Sequence, residues 1–264
     1  MSGQSFITTE KAEKPLKMKA YGSIGHLPNS RMGPADHHVH EGQAIICTSK
    51  PRKGDRIIVS EKLDGSCMSV ANIGGELVPL TRSGYRATDV TYEHLRAFHP
   101  YVEANLDKFA TLLRDGERVV GEWIPMAHGT IYDPKHPMFS PFVAFDIFRD
   151  GKRILWDEFD ERIGAVEMRR AFCIHDGTEP CAVDHALRSL RVPDEDLVAH
   201  CHGFHGARED VEGAVWRVER EGRVDFLAKY VRPEKIDGKY FPQISGQPEI
   251  WFIDRPTPPA PGRE

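Results

Sequence analysis

The sequence predicts an α+β protein with largely antiparallel sheets flanked by helices. Three observations lead there. Six short segments carry the apolar, β-branched runs of strands: 55–63 (DRIIVSEKL), 67–73 (CMSVANI), 118–124 (RVVGEWI), 141–148 (PFVAFDIF), 212–220 (EGAVWRVER) and 224–231 (VDFLAKYV). Four others carry helical periodicity: 91–114, 156–172, 182–190 and 193–204. The two kinds do not alternate regularly, which argues against a parallel βαβ sheet.

The elements follow in chain order. Residues 1–14 are expected to be flexible, and their polar, acid-containing composition fits neither a signal nor a transit peptide. The strand 55–63 runs into Asp64-Gly65, a turn signal. In the segment 156–172, Asp157 is the expected N-cap, with Glu158 and Asp160 favourable in the first turn. The connection Glu221-Gly222-Arg223 is short enough to make the last two strands a hairpin. The proline-rich end, 254–264, is expected to be disordered. One domain, 15–253, is left between the ends.

Composition narrows the function classes. The 264-residue chain is 40% hydrophobic and 28% charged, an ordinary globular balance. No apolar run approaches a membrane span. The formal net charge of −5 means that nucleic acid could be gripped only by a locally basic face. Five cysteines without regular spacing suit reduced thiols in a cytoplasmic protein.

Chemistry concentrates in a few strand-end residues. Lys62 ends a buried strand and is followed at once by an acid and a glycine. Read alone, it is a surface lysine beside a turn. Its company changes that reading. Glu122 stands near the end of a strand, Glu212 at the start of another, and Lys229 inside the next strand of the hairpin.

Those residues, in that order, resemble the covalent nucleotidyltransferase superfamily of ATP-dependent polynucleotide ligases and GTP-dependent capping enzymes. EKLDG (61–65) resembles the superfamily's first motif, Lys-x-Asp-Gly, and TRSGY (81–85) the next. GEW (121–123) resembles the third, FVAFDIF the aromatic strand after it, EGAV the fourth and LAKYVR the fifth. The phrases YGSIGHLPNSR (21–31) and AKYVRPEK (228–235) look most like the RNA ligase branch. The resemblance implies the nucleotidyltransferase, ATP-grasp-like fold.

It also implies a function. Lys62 would take AMP from ATP, pass it to an RNA 5′-phosphate, and leave a 3′-hydroxyl to displace AMP. Mg2+ or Mn2+ would be held by Glu122 and Glu212. Glu61 or its backbone would read adenine. Asp64, Gly65 and Arg82 would lie on the ribose and phosphate side, and Phe145 would stack on the purine. An amine nucleophile must be neutral, and free lysine, with a pKa of about 10.4, is not. Burial, with Lys229 or a metal nearby, is expected to lower that value. The partners implied are RNA ends or a nicked duplex.

Two departures stand out. Val231 occupies the place where this branch often has a second lysine, and Arg232 and Lys235 are the candidates to replace its charge. Only about thirty residues follow the fifth motif, so neither a barrel nor a large helical domain is expected there. Substrate grip would then come from the chain's own surface, a second copy or a protein partner. A minimal DNA ligase and a non-catalytic nucleotide- or RNA-binding module of the same fold remain alternatives.

Other features are read more plainly. The histidines of DHHVHE (36–41) and HCHGFH (200–205) match no standard zinc spacing. The first group is read as a loop over the nucleotide or RNA end. Trp123 and Trp216 are read as core. Lys50, Arg52, Lys53 and Arg56 form a basic cluster, by default solvated and at most a phosphate contact. His128 is a candidate for touching an RNA end.

Overall fold

The computed structural model describes residues 13–191 and 202–255. In chain order the strands are β1 (Gly25–His26), β2 (Arg56–Lys62), β3 (Ser66–Ile73), β4 (Glu76–Thr81), β5 (Arg118–Trp123), β6 (Phe142–Arg149), β7 (Lys152–Arg153), β8 (Cys173–Gly177), β9 (Gly213–Arg220) and β10 (Arg223–Val231). The helices are α1 (Glu41–Thr48), α2 (Glu93–Arg96), α3 (Phe98–Glu103), α4 (Leu106–Leu112), α5 (Trp156–Ala165), α6 (Val183–Ser189) and α7 (Pro242–Ser245). The strands form two five-stranded sheets, ordered β1-β10-β9-β2-β8 and β4-β3-β5-β6-β7. All pairings within them are antiparallel except β1 with β10. The α+β expectation is met, and each of the six expected strands is present.

Alternation along the strands builds two cores. In the first sheet Ile57, Val59, Ala214, Trp216, Val218, Ala228 and Tyr230 pack against α1 and α6. In the second, Val70, Val119, Phe142 and Ile147 pack under Phe98, Phe109, Leu112, Trp156 and Phe159 from the helices. Both tryptophans read as core are fully buried. Trp216 Nε1 donates to the Cys181 carbonyl (2.9 Å) and Trp123 Nε1 to the His94 carbonyl (2.7 Å), so neither polar handle is stranded.

Several local expectations are corrected. The single helix expected over 91–114 is three short ones. Pro100 has no N–H to give the Arg96 carbonyl, which separates α2 from α3. Asn105, at φ −125°, turns its Nδ2 back to the Tyr101 carbonyl (2.8 Å), which ends α3. The N-cap of α5 is Leu155, not Asp157. Its first N–H, on Trp156, is taken by Glu219 from β9 (2.7 Å). The first histidine group does lie in a loop, which leads into α1, where the Gln43 side chain accepts the His40 N–H (3.1 Å). The helix expected over 193–204 falls mostly outside the described residues, as do residues 1–12 and the proline-rich end. Among the described residues no helix is long and apolar enough to cross a membrane.

Candidate active site

The link Leu63-Asp64-Gly65 carries the chain from β2 in one sheet to β3 in the other. A cleft opens where the two inner sheet faces meet. Its cavity, of about 260 Å³, is lined from the first sheet by Ile58, Ser60, Lys62, Val215, Arg217, Leu227 and Lys229. From the second come Cys67, Glu122, Phe145 and Asp146, with Tyr21, Ile24 and Arg82 at the margin. The strand period of two explains the selection. Ile58, Ser60 and Lys62 face the cleft, while Ile57 and Val59 face the opposite core.

Lys62 ends β2 with its Nζ 2.6 Å from Glu212 Oε2. Glu212 stands just before β9, whose Gly213 pairs with Lys62 across the sheet. Glu122 comes from β5 and accepts the Gly65 N–H at 2.9 Å. Gly65 is required by close approach: a Cβ there would lie 2.4 Å from the Trp123 carbonyl oxygen. Lys229 reaches the cleft from β10. The fold thus brings Lys62, Glu122, Glu212 and Lys229 into one cluster of two acids and two amines.

The electrostatics correct one expectation. Burial alone would depress the Lys62 pKa, but Glu212 and Glu122 more than offset it and raise it above the ordinary lysine value. In this state Lys62 is an ammonium ion held by Glu212. Lys229 is the amine whose pKa is lowered, by burial first and by the Lys62 charge second. Burial pushes the Glu122 carboxyl up to about 8, with Glu212 adding repulsion, and raises Glu212 as well. The half-buried Glu122 and the buried Glu212 share one ammonium, and holding both as carboxylates is disfavoured without a further positive charge. They are hard oxygen donors of the kind Mg2+ and Mn2+ take, though only two. Among the described residues no group of three or more His, Cys, Asp or Glu side chains is arranged to hold a metal ion. A cation here would need phosphate oxygens or water to complete its shell.

The remaining expected residues take varied places. Phe145 is half-buried on the cavity wall, edge-on to Tyr21 with ring centroids 5.2 Å apart. Arg82 is exposed at the rim, with Nη2 3.3 Å from Ser23 Oγ and no carboxylate partner among the described residues. Asp64 turns away from the cavity. Its Oδ2 accepts from Lys235 Nζ (2.5 Å) and from the Gly129 N–H (2.7 Å), and Lys235 also donates to Thr130 Oγ1 (2.8 Å). Glu61 borders the cavity through its backbone, but its carboxylate lies across the strand. There it is buried without a hydrogen-bond partner among the described residues, 4.0 Å from His205 Nε2. Burial pushes that carboxyl up to about 8.

Of the two candidates for the missing fifth-motif charge, Lys235 reaches the Asp64 loop. Arg232 instead binds the carbonyls of Asp210 and Val211. The basic cluster before β2 is largely neutralised. Arg56 pairs with Asp157 and Asp176, and Arg52 with Asp55 and Asp225. His128 is buried between His94 and Phe241 and does not present itself at the surface.

Sequence reading missed the charged floor of the cavity. Asp146 Oδ1 accepts from Arg217 (2.6 Å), while its Oδ2 accepts from Arg153 (2.8 Å) and the Tyr21 hydroxyl (3.0 Å). Arg217 also pairs with Glu219 at 2.7 Å. The available signal was a charged residue at a buried position in each of two apolar strands, Asp146 in FVAFDIF and Arg217 in AVWRVER.

A family model described as RNA ligase matches residues 55–231, more than half of the chain and all four residues of the acid–amine cluster. The chain belongs to the RNA ligase family. Among solved structures, an apo variant of the Naegleria gruberi RNA ligase matches with a TM-score of 0.47 and 15% identity over 68% of this chain and 50% of that one. A lysine-to-alanine variant of the same enzyme, with ATP and Mn, gives 0.49 and 14% over 81% and 61%. An archaeal ATP-dependent RNA ligase gives 0.42 and 18% over 67% and 43%. The chain spans about half the length of the first of these structures. No curated protein matches it.

Proposed function

We propose that this chain is an ATP-dependent RNA ligase working through a lysyl-AMP intermediate. One observation carries the reading: in a member of the RNA ligase family, the Lys62 amine sits 2.6 Å from Glu212 on the wall of a cavity that also presents Glu122, Lys229 and Phe145. A base would stack on Phe145 in this cavity, whose apolar lining includes Leu227 and Val215, since stacking needs only a π face. Lys229 and Arg82 face the space left for phosphate.

In the first step Lys62 loses a proton, for which Glu212 is the acceptor within reach. Its lone pair attacks the α-phosphorus of ATP, a P–N bond forms, and the bond to the leaving pyrophosphate breaks. In the second step an RNA 5′-phosphate oxygen attacks the same phosphorus, and Lys62 recovers its amine. In the third, an RNA 3′-hydroxyl attacks the activated 5′-phosphate, and AMP leaves. Each step is chiefly positioning and charge neutralisation. A divalent cation, Mg2+ or Mn2+, held by Glu122 and Glu212, would offset phosphate charge and relieve the pull that keeps Lys62 protonated. The residues 15–253 are read as the catalytic unit.

The test is joining. Single-stranded 5′-phosphorylated RNA, nicked RNA duplex and nicked DNA are each incubated with the chain, ATP and Mg2+ or Mn2+. ATP-dependent joined RNA supports the reading. Joining of DNA alone would make the chain a DNA ligase, and ATP binding without joining or adduct would make it a binding module.

A further inference from the structure

Beside Lys229 lies a chain of polar groups that the transfer just described leaves without a task. His26 of β1 is the cross-strand partner of Lys229 in β10. Its Nδ1 is 2.6 Å from Ser30 Oγ, and that hydroxyl accepts the N–H of Val231, two residues beyond Lys229 (2.9 Å). Its Nε2 is 3.2 Å from Asp36 Oδ2, close but not aligned as a hydrogen bond. Asp36 Oδ2 accepts the Gly33 N–H (2.9 Å), which leaves Oδ1 facing Lys229 Nζ at 3.4 Å.

The backbone holds this arrangement closed. The His26 N–H donates to the His37 carbonyl (2.8 Å), and the Val39 N–H donates to the His26 carbonyl (2.9 Å). The loop lies so near β1 that a Cβ on Gly25 would stand 2.8 Å from Val39 Cγ1. Asp36 is therefore a fixed carboxylate on a fixed loop.

We propose that Asp36, braced by His26 and Ser30, is a positioning residue that sets where the Lys229 ammonium stands against the phosphate of the bound nucleotide; this rests on the lysyl-AMP reading above. A lysine is a point charge on a flexible four-carbon stem, so its location must be imposed from outside. Lys62 and Arg82 also face Lys229, but both are cations and only repel it. Among the described residues Asp36 is the one carboxylate in contact with it. The 3.4 Å separation is longer than the 2.7–2.9 Å of a tight charge-assisted bond. The hold is loose enough to be given up when phosphate arrives. His26 supports the carboxylate without competing for it: burial and the Lys229 charge bring its pKa down to about 4, so the ring is neutral at working pH.

The test is a double-mutant cycle in single-turnover labelling with α-labelled ATP, using Asp36→Ala, Asp36→Asn, Asp36→Glu, Lys229→Ala and the Asp36→Ala/Lys229→Ala pair. Asp36→Ala should slow the maximal labelling rate on the order of 10- to 100-fold, with a much smaller change in the ATP concentration at half-maximum. Asp36→Glu should recover part of the rate. The pair should be no slower than Lys229→Ala alone, because Asp36 acts through Lys229. Additive losses in the pair, or a wild-type rate in Asp36→Ala, overturn the proposal. The near-isosteric Asp36→Asn covers a failure of the alanine variant to fold.

If the unaltered chain takes no label, it is the lysyl-AMP reading that has failed, and a second measurement still tests the position. Lys229 acylation by an amine-directed reagent is followed by peptide mass spectrometry across pH. Removing the carboxylate charge removes support for the ammonium while Lys62 and Arg82 stay cationic. The midpoint should therefore fall in Asp36→Asn, and an unchanged midpoint overturns the proposal.

Discussion

Glu61 is a buried carboxyl with no hydrogen-bond partner among the described residues, and Glu61→Gln isolates what that costs. Burial takes its pKa from 4.5 to about 8. This is the reverse of the usual carboxylate case. Between those two values the folded chain keeps a proton that the unfolded chain has released, so stability is full below the unfolded pKa and is lost as pH rises through the folded one. At 1.36 kcal/mol per pH unit, the loss over the window from 4.5 to about 8 amounts to about 5 kcal/mol at most. His205, 4.0 Å away, works in the opposite sense. Burial lowers it from 6.5 to about 4, so its contribution is full above 6.5 and is lost as pH falls through that range. Where the windows overlap, from 4.5 to 6.5, the two slopes oppose each other. Above 6.5 the Glu61 loss stands unopposed by His205. Urea unfolding of both proteins at a series of pH values gives the difference directly, and other titrating groups cancel in it. The Gln variant should gain on the parent steadily from about pH 5 to 8 and exceed it by several kcal/mol at the top. A difference that stays constant across that range would refute the burial argument.

Three further outcomes follow from the same geometry. Asp146→Ala leaves Arg217 and Arg153 without their shared acid on the cavity floor, and should cost about 3–5 kcal/mol in urea unfolding; a loss under 1 kcal/mol would show that water screens the site. Phe145→Ala should weaken ATP binding by about 1–3 kcal/mol, the worth of one stacked base, read by calorimetry; unchanged affinity would remove Phe145 from the base site. Gly65→Ala forces the link away from the Trp123 carbonyl and should cost about 1–3 kcal/mol of stability. It should also disturb the Glu122 bond, with slower labelling to match, and a fully active, fully stable variant would contradict the close approach.

The strands were legible because they combine β-branched runs with period two, and their order gave the motif set its meaning. What escaped was mostly short or set by distant partners; the exception is β4, six residues with Pro79 inside the run. Strand β1 has only two residues, and β8, CIHDG, alternates too weakly to register as a strand. Helix α1 was hidden behind a histidine-rich phrase that invited a metal or loop reading. The break at Pro100 was visible in principle, but the apolar periodicity continuing through 91–114 outweighed it. The cluster of Lys62, Glu122, Glu212 and Lys229 could be anticipated residue by residue. The sign of the Lys62 pKa could not, because it depends on whether an acid or a cation stands closer, and a linear sequence carries no such distance. The link from Ser30 through His26 and Asp36 to Lys229 was hidden for the same reason, spanning some two hundred positions of chain.

The most direct measurement is the chemistry of one nitrogen. The chain is incubated with α-labelled ATP and Mg2+ or Mn2+, digested, and the labelled peptide sequenced by mass spectrometry. A single acid-labile AMP adduct on Lys62, absent from Lys62→Ala, is the expected result. Label on another residue, or equal label on the Lys62→Ala variant, would contradict it.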